Sequence, residues 1–229
     1  MATALDVVNV ARSQIGQQEK PRGTNRIHYN NWYVEEGYGS SDYLTAAWCA
    51  IFVSWCASRA GASDIIPIHA YTPTGLNWFE KRGLVSRGNS PTIGSLCYVN
   101  YPGQADRVGH VGIVEAVLPD NTVQTIEGNT NTDGSATGYG VFRLRRKVNN
   151  RLYFAHPRYQ NVRDDEQMKL SDIVGKDSAG KPITVGQALS RGAHAYDAIF
   201  QSGWLGSRVH NLRVDVDKIN DRLDKSDSR

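Results

Sequence analysis

A thiol, an imidazole and a carboxylate follow one another along this chain, each in a context that catalysis can use. They are Cys49 in Trp48-Cys49-Ala50-Ile51-Phe52-Val53-Ser54-Trp55, His110 in Gly109-His110-Val111-Gly112-Ile113, and Glu127 in Ile126-Glu127-Gly128-Asn129. Together they read as a cysteine hydrolase. Cys49 attacks a carbonyl carbon, His110 takes the thiol proton and later protonates the leaving amine, and Glu127 fixes the tautomer and orientation of the ring. Each residue has a plainer explanation alone, since free cysteine is among the most buried residue types and a strand histidine is usually structural. Their recurrence in one chain order carries the reading.

The elements around them supply the positioning. Ala46 to Arg59 has near-helical apolar spacing and stops at Gly61, so Cys49 falls in the first turn. Unpaired N–H groups and the positive end of the helix dipole there favour a thiolate over a thiol. Val108 to Val114 alternates as a strand, with Gly109 and Gly112 leaving room for another chain or a substrate beside His110. After the turn signal Asp120-Asn121, Thr122 to Glu127 alternates as a returning strand, and antiparallel pairing would bring Glu127 beside His110. Trp48, next to the nucleophile, is read as a substrate-binding side chain of the site.

The other cysteines do not compete for the role. Cys49 and Cys56 share a helix face roughly 10 Å apart along the axis, too far to bridge. Cys56 and Cys97 read as buried. No paired Cys or His spacing suggests zinc, so no metal and no cofactor is expected.

Composition is ordinary for a folded protein: 229 residues, 40% hydrophobic, 21% charged, net charge +3. The whole excess of positive charge lies in residues 1–159. Its one basic cluster, Arg143-Leu144-Arg145-Arg146-Lys147, reads as a solvated strand face, or as a field that engages anionic polymers. Nothing resembles a nucleic-acid-binding module. Met1 to Gln18 reads as an amphipathic helix capped by Thr3, with Leu5, Val8 and Ile15 on one face, and not as a secretion signal. No span reaches the ~20 apolar residues of a membrane helix, so no membrane insertion is expected.

Residues from about Val7 to Tyr159 resemble a CHAP domain, the cysteine- and histidine-dependent amidohydrolase/peptidase module of phage lysins and bacterial cell-wall hydrolases. The resemblance rests on Ala11, Gly16, Glu19, Gly23, Asn25, Tyr29, Trp32, the Trp48-to-Trp55 stretch, Gly94-Ser95-Leu96, Gly109 to Val114, and Glu127-Gly128-Asn129. It implies a papain-like α+β fold, with N-terminal helices packed on an antiparallel sheet, that hydrolyses amide bonds of peptidoglycan. Cys49 would be the nucleophile, His110 the base and Glu127 the orienter, with Asn129 at a position that often assists. The backbone N–H of Cys49 would serve an oxyanion hole. Some CHAP domains hold calcium just before the nucleophile; here Glu36 to Trp48 offers only Glu36 and Asp42, a poor set for a cation wanting 6–8 oxygens. With no secretion signal, a phage endolysin held in the host cytoplasm until release to the wall is the expected role. The alternatives are a virion-associated wall hydrolase, a papain-like hydrolase of soluble peptides, and a non-catalytic wall-binding protein. On this mechanism Glu127→Gln is expected to be milder than His110→Ala, a neutral amide still holding the ring.

The chain divides into a catalytic domain over 1–159, a linker and loop region over 160–183, and a helical C-terminal region over 184–229. Leu170 to Pro182 reads as a loop or short helix, and Thr184 to Gln201 as a capped helix. Val209, Leu212, Val216, Ile219 and Leu223 keep heptad spacing over barely two heptads. A homo-oligomer through these C-terminal helices, or wall targeting, is the expected use of the tail.

Overall fold

Thr3 caps the first helix: its hydroxyl accepts from the Asp6 N–H at 3.3 Å while the Asp6 carboxylate accepts from the Thr3 N–H at 2.8 Å. This reciprocal cap satisfies two otherwise orphaned donors. The computed structural model describes residues 2–103, 107–135, 137–160, 173–176 and 182–184, the last two stretches by backbone alone. Helix α1 (Ala4–Ser13) buries Val7, Val8 and Ala11, so it is shorter than the expected Met1 to Gln18, and Leu5 and Ile15 lie at its margin. Helix α2 (His28–Glu35) and a 3-10 turn (Ser41–Thr45) lead to α3 (Cys49–Arg59), and α4 (Thr72–Glu80) follows. Among the described residues no helix is long and apolar enough to cross a membrane.

Six antiparallel strands form one sheet: β1 (Val85–Arg87), β2 (Leu96–Val99), β3 (His110–Leu118), β4 (Thr122–Thr130), β5 (Gly140–Lys147) and β6 (Leu152–Ala155), in the order β1-β6-β2-β3-β4-β5. The β3–β4 hairpin turns at Asn121, whose φ of 56° is the left-handed conformation that asparagine tolerates. Strand alternation splits the core between the two faces. Leu96, Tyr98, Val111, Ile113 and Ile126 pack with the buried residues of the helices. Cys97, Val99, Val114, Val123, Leu152 and Phe154 form a second cluster on the other face.

The helical layer is tied to the sheet by Glu115, which sits where the β3–β4 register shifts. It accepts from Arg12 of α1 at 2.7 Å, from Arg143 of β5 at 2.5 and 2.8 Å, and from Gln124 at 2.9 Å. Burial alone would raise this carboxyl; the hydrogen bonds from Arg143, Arg12 and Gln124 overturn that and hold it at about 2. A depressed carboxylate adds stability that is present above its ordinary value of about 4.5 and is lost as pH falls through about 2. Glu115→Gln should therefore lower the melting temperature at neutral pH by about 2–6 °C. Thermal melts at decreasing pH should show that difference shrink between pH 4.5 and 2; a constant difference would count against the ion-pair account.

The chain separates into two compact units, Met1–Asn161 and Val162–Arg229. In the second, β7 (Ile173–Lys176) pairs antiparallel with β8 (Pro182–Thr184), where the sequence pattern suggests a loop or short helix. The isolated apolar positions there are too few to separate a short strand from a loop by periodicity. Thr184, the expected cap of a helix to Gln201, is the last residue of β8; the rest of that expected helix and the heptad seam of Val209 to Leu223 lie outside the described residues.

Candidate active site

Cys49 is the first residue of α3, three residues later than the expected helix start. Ala46 to Trp48 instead form an approach held by side chains: Asn25 donates to the Thr45 carbonyl at 3.0 Å, and Asn30 to the Ala46 carbonyl at 3.0 Å. Trp48 has no exposed surface. Its indole N–H donates to the buried Glu19 carboxylate at 2.8 Å, and its ring stacks on Tyr29 with centroids 5.5 Å apart. The expected substrate-binding role of the Trp48 side chain is therefore replaced by a structural one. The indole anchors the turn that delivers Cys49, because a polar N–H carried inward needs a buried acceptor. The helix start has no side-chain cap, which leaves its first N–H groups available to a developing negative charge.

His110 opens β3 and is fully buried. Its Nε2 lies 2.8 Å from Glu127 Oε2. An ionised carboxylate only accepts, so Nε2 carries the proton and Nδ1 is left as the basic atom. Nδ1 has no hydrogen-bond partner among the described residues. The Cys49 sulfur lies near enough to act on the ring, although it makes no hydrogen bond of regular geometry with Nδ1. Burial alone would push His110 down; the Cys49 sulfur and then Glu127 outweigh it and push the ring up to about 9.

Glu127 of β4 is equally buried, and all its accepting positions are filled. Oε1 accepts from Thr125 Oγ1 at 2.5 Å and Arg146 Nε at 2.6 Å, and Oε2 from His110 and from Arg146 Nη2 at 2.6 Å. Burial would raise this carboxyl, but the hydrogen bonds and charges of Arg146 and His110 hold it far below the carboxylate range. The close approach that Gly112 permits is to this side chain: a Cβ there would overlap Glu127 Cγ and lie 3.1 Å from Cδ. Gly128 does the same on the helical side, where a Cβ would meet Trp48 at 2.6 Å and Phe52 at 2.7 Å. Gly112→Ala should thus displace a carboxylate that four donors hold still. We expect a loss of about 1–3 kcal/mol from overpacking and at least about a tenfold fall in specific activity, read from a melt and an initial rate; an alanine variant with normal rate would show that Glu127 tolerates the shift.

Asn129 sits at φ 56° with its amide nitrogen donated to Asn25 Oδ1 at 3.1 Å and the Gly138 carbonyl at 3.0 Å. It braces the end of β4 against the loop before α2. Arg146, which in sequence looks like part of a solvated basic cluster, is instead paired with the buried Glu127 carboxylate. Arg143 is likewise spent on Glu115, so two of that cluster's three arginines are committed to buried carboxylates. Cys56 and Cys97 are free, buried thiols pushed well up by burial, with Glu127 adding to the effect at Cys97. Among the described residues no group of three or more His, Cys, Asp and Glu side chains is gathered to hold a metal ion.

Residues 39–129 match the family model of the CHAP domain. The CHAP match runs from the 3-10 turn through α3 and α4 into β4, and so holds Trp48, Cys49, His110, Glu127 and Asn129; it ends before β5 and Arg146. Helices packed on an antiparallel sheet give the matched segment its α+β character. No curated protein and no solved structure matches the chain.

Proposed function

We propose that this protein hydrolyses an amide bond in the peptide part of peptidoglycan through the thiolate of Cys49, in the manner of a phage endolysin. The observation that carries the reading is the His110–Glu127 pair at 2.8 Å inside a segment that matches the CHAP domain. It leaves the basic Nδ1 for the only thiol that begins a helix. In the acylation step the Cys49 sulfur bonds to the carbonyl carbon, and the oxyanion is met by the Cys49 backbone N–H. The His110 proton passes to the leaving amine as the C–N bond breaks. Water then gives its proton to His110, attacks the thioester carbon and frees the acid and the thiol. Both halves of the cycle need the ring in one tautomer, which Glu127 supplies.

Purified walls incubated with the full chain should lose turbidity and release new amino groups, and mass spectrometry of the fragments identifies the bond cut. A protein that turned over soluble peptides but left walls intact would favour the papain-like alternative. Expression inside a host should lyse it only when a membrane-permeabilising protein is supplied, if the endolysin role is right.

A further inference from the structure

We propose that Arg146 is a positioning residue of the catalytic centre, which locks Glu127 in place and supplies the charge that lets a Cys49 thiolate and a His110 imidazolium coexist. The inference rests on the thiolate mechanism above but not on its substrate. Three observations carry it. The guanidinium spans both carboxylate oxygens, Nε to Oε1 and Nη2 to Oε2, each at 2.6 Å, a two-point grip that fixes rotation as well as distance. Nη2 also reaches Tyr101 Oη at 3.3 Å and the Gly134 carbonyl at 3.3 Å, and Tyr101 donates to that same carbonyl at 2.8 Å while its ring meets His110 edge-on at 6.3 Å. The Arg146 side chain is 13% exposed and Glu127 fully buried. By contrast, Arg145 on the same strand meets Asp120 at 3.4 Å with both partners well exposed, a pair worth little.

Charge balance gives the grip its purpose. The groups that act on His110 and Glu127 are Cys49 from α3, Cys97 from β2, Tyr101 after β2, and Arg146 from β5. Cys97 and Tyr101 are raised and stay neutral at working pH. In the reactive state the thiolate and imidazolium cancel, and Glu127 is cancelled by Arg146 alone. Without the guanidinium, a buried uncompensated carboxylate would stand beside the thiolate, and every proton in the centre would be held more tightly.

The test is iodoacetamide alkylation of Cys49 against pH, followed by peptide mass spectrometry on the full chain, for wild type, Arg146→Met and Arg146→Lys. Arg146→Met should move the rise of the alkylation rate to higher pH by at least about one unit, or about tenfold less reaction below the rise. Arg146→Lys should restore its position within a few tenths of a unit, yet lose about tenfold in kcat with little change in KM, since one ammonium cannot bridge both oxygens. A purely structural role would lower the melting temperature and leave the profile of the folded protein unmoved; a folded Arg146→Met profile superimposed on wild type would overturn the proposal. If Arg146→Met does not fold, Arg146→Gln, which keeps a donor without the charge, takes the same test: a shifted profile supports the proposal and an unmoved one overturns it. Alkylation needs no substrate, so failure of wild-type protein on walls would strike the proposed function and leave this test standing.

Discussion

On the proposed mechanism, Cys49→Ala is expected to abolish wall hydrolysis, by about a thousandfold or more, because that mechanism gives the acyl bond to no other group. Cys56→Ala and Cys97→Ala should keep the chemistry and lose only packing. The distinction follows from position. Cys49 begins α3 beside His110, whereas Cys56 lies fully buried two turns on and Cys97 faces the second core cluster. Burial pushes both of those thiols up, so at neutral pH they are neither thiolates nor accessible. Initial rates of turbidity loss at equal concentrations of folded protein make the comparison. A lytic Cys49→Ala, or a folded Cys56→Ala without activity, would move the nucleophile elsewhere.

What is legible in the sequence is local. Cys49 at a helix start, His110 on a strand and Glu127 on the strand that returns from Asp120-Asn121 each follow from periodicity and turn chemistry over a few residues. Even there the boundaries differ: α3 begins at Cys49 because Asn25 and Asn30 capture the carbonyls of Thr45 and Ala46, which a continuing helix would have had to direct along its own axis. Asn30 stands 16 residues before Ala46, and no periodic signal in between announces that contact.

What is not legible is non-local. Arg146 meets Glu127 because β5 pairs with β4 so that Val123 stands opposite Arg146 and Phe142 opposite Glu127. On a pleated strand, Phe142, Leu144 and Arg146 share a face, and the long arginine side chain runs back along it to the carboxylate. A shift of one residue in that register would turn Arg146 to the other face and make the cluster as solvated as it looks in sequence. Trp48 is hidden for a related reason. An aromatic beside a nucleophile is equally compatible with a groove wall and an anchor, and only the buried Glu19 carboxylate, far away in the chain, decides for the anchor. Gly112 is legible as a site of close approach, but not as the space for Glu127.

His110→Ala should be nearly as damaging as loss of the nucleophile, and Glu127→Gln should approach it, contrary to the milder effect that follows if the carboxylate is a ring-holder alone. Glu127 accepts four hydrogen bonds, two of them from Arg146. An amide has one oxygen and one NH2, so whichever way the substituted glutamine turns, its N–H groups meet a donor: either His110 Nε2 and Arg146 Nη2, or Arg146 Nε, since only the Thr125 hydroxyl can turn to accept. Inside a buried site such a conflict costs stability as well as orientation. We expect Glu127→Gln to lose about a hundredfold or more in kcat and to melt below wild type. In the wild-type protein the imidazolium is held up to about 9, so kcat/KM should fall as pH rises through about 9 and His110 gives up the proton destined for the leaving amine. That limb belongs to the coupled Cys49–His110 pair. A rate profile from about pH 5 to 10 on wild type, spanning the range in which such a pair titrates, with single-pH rates and melts for the variants, tests all three expectations; full activity in His110→Ala, or near-normal kcat and melting in Glu127→Gln, would overturn the assignment of the pair.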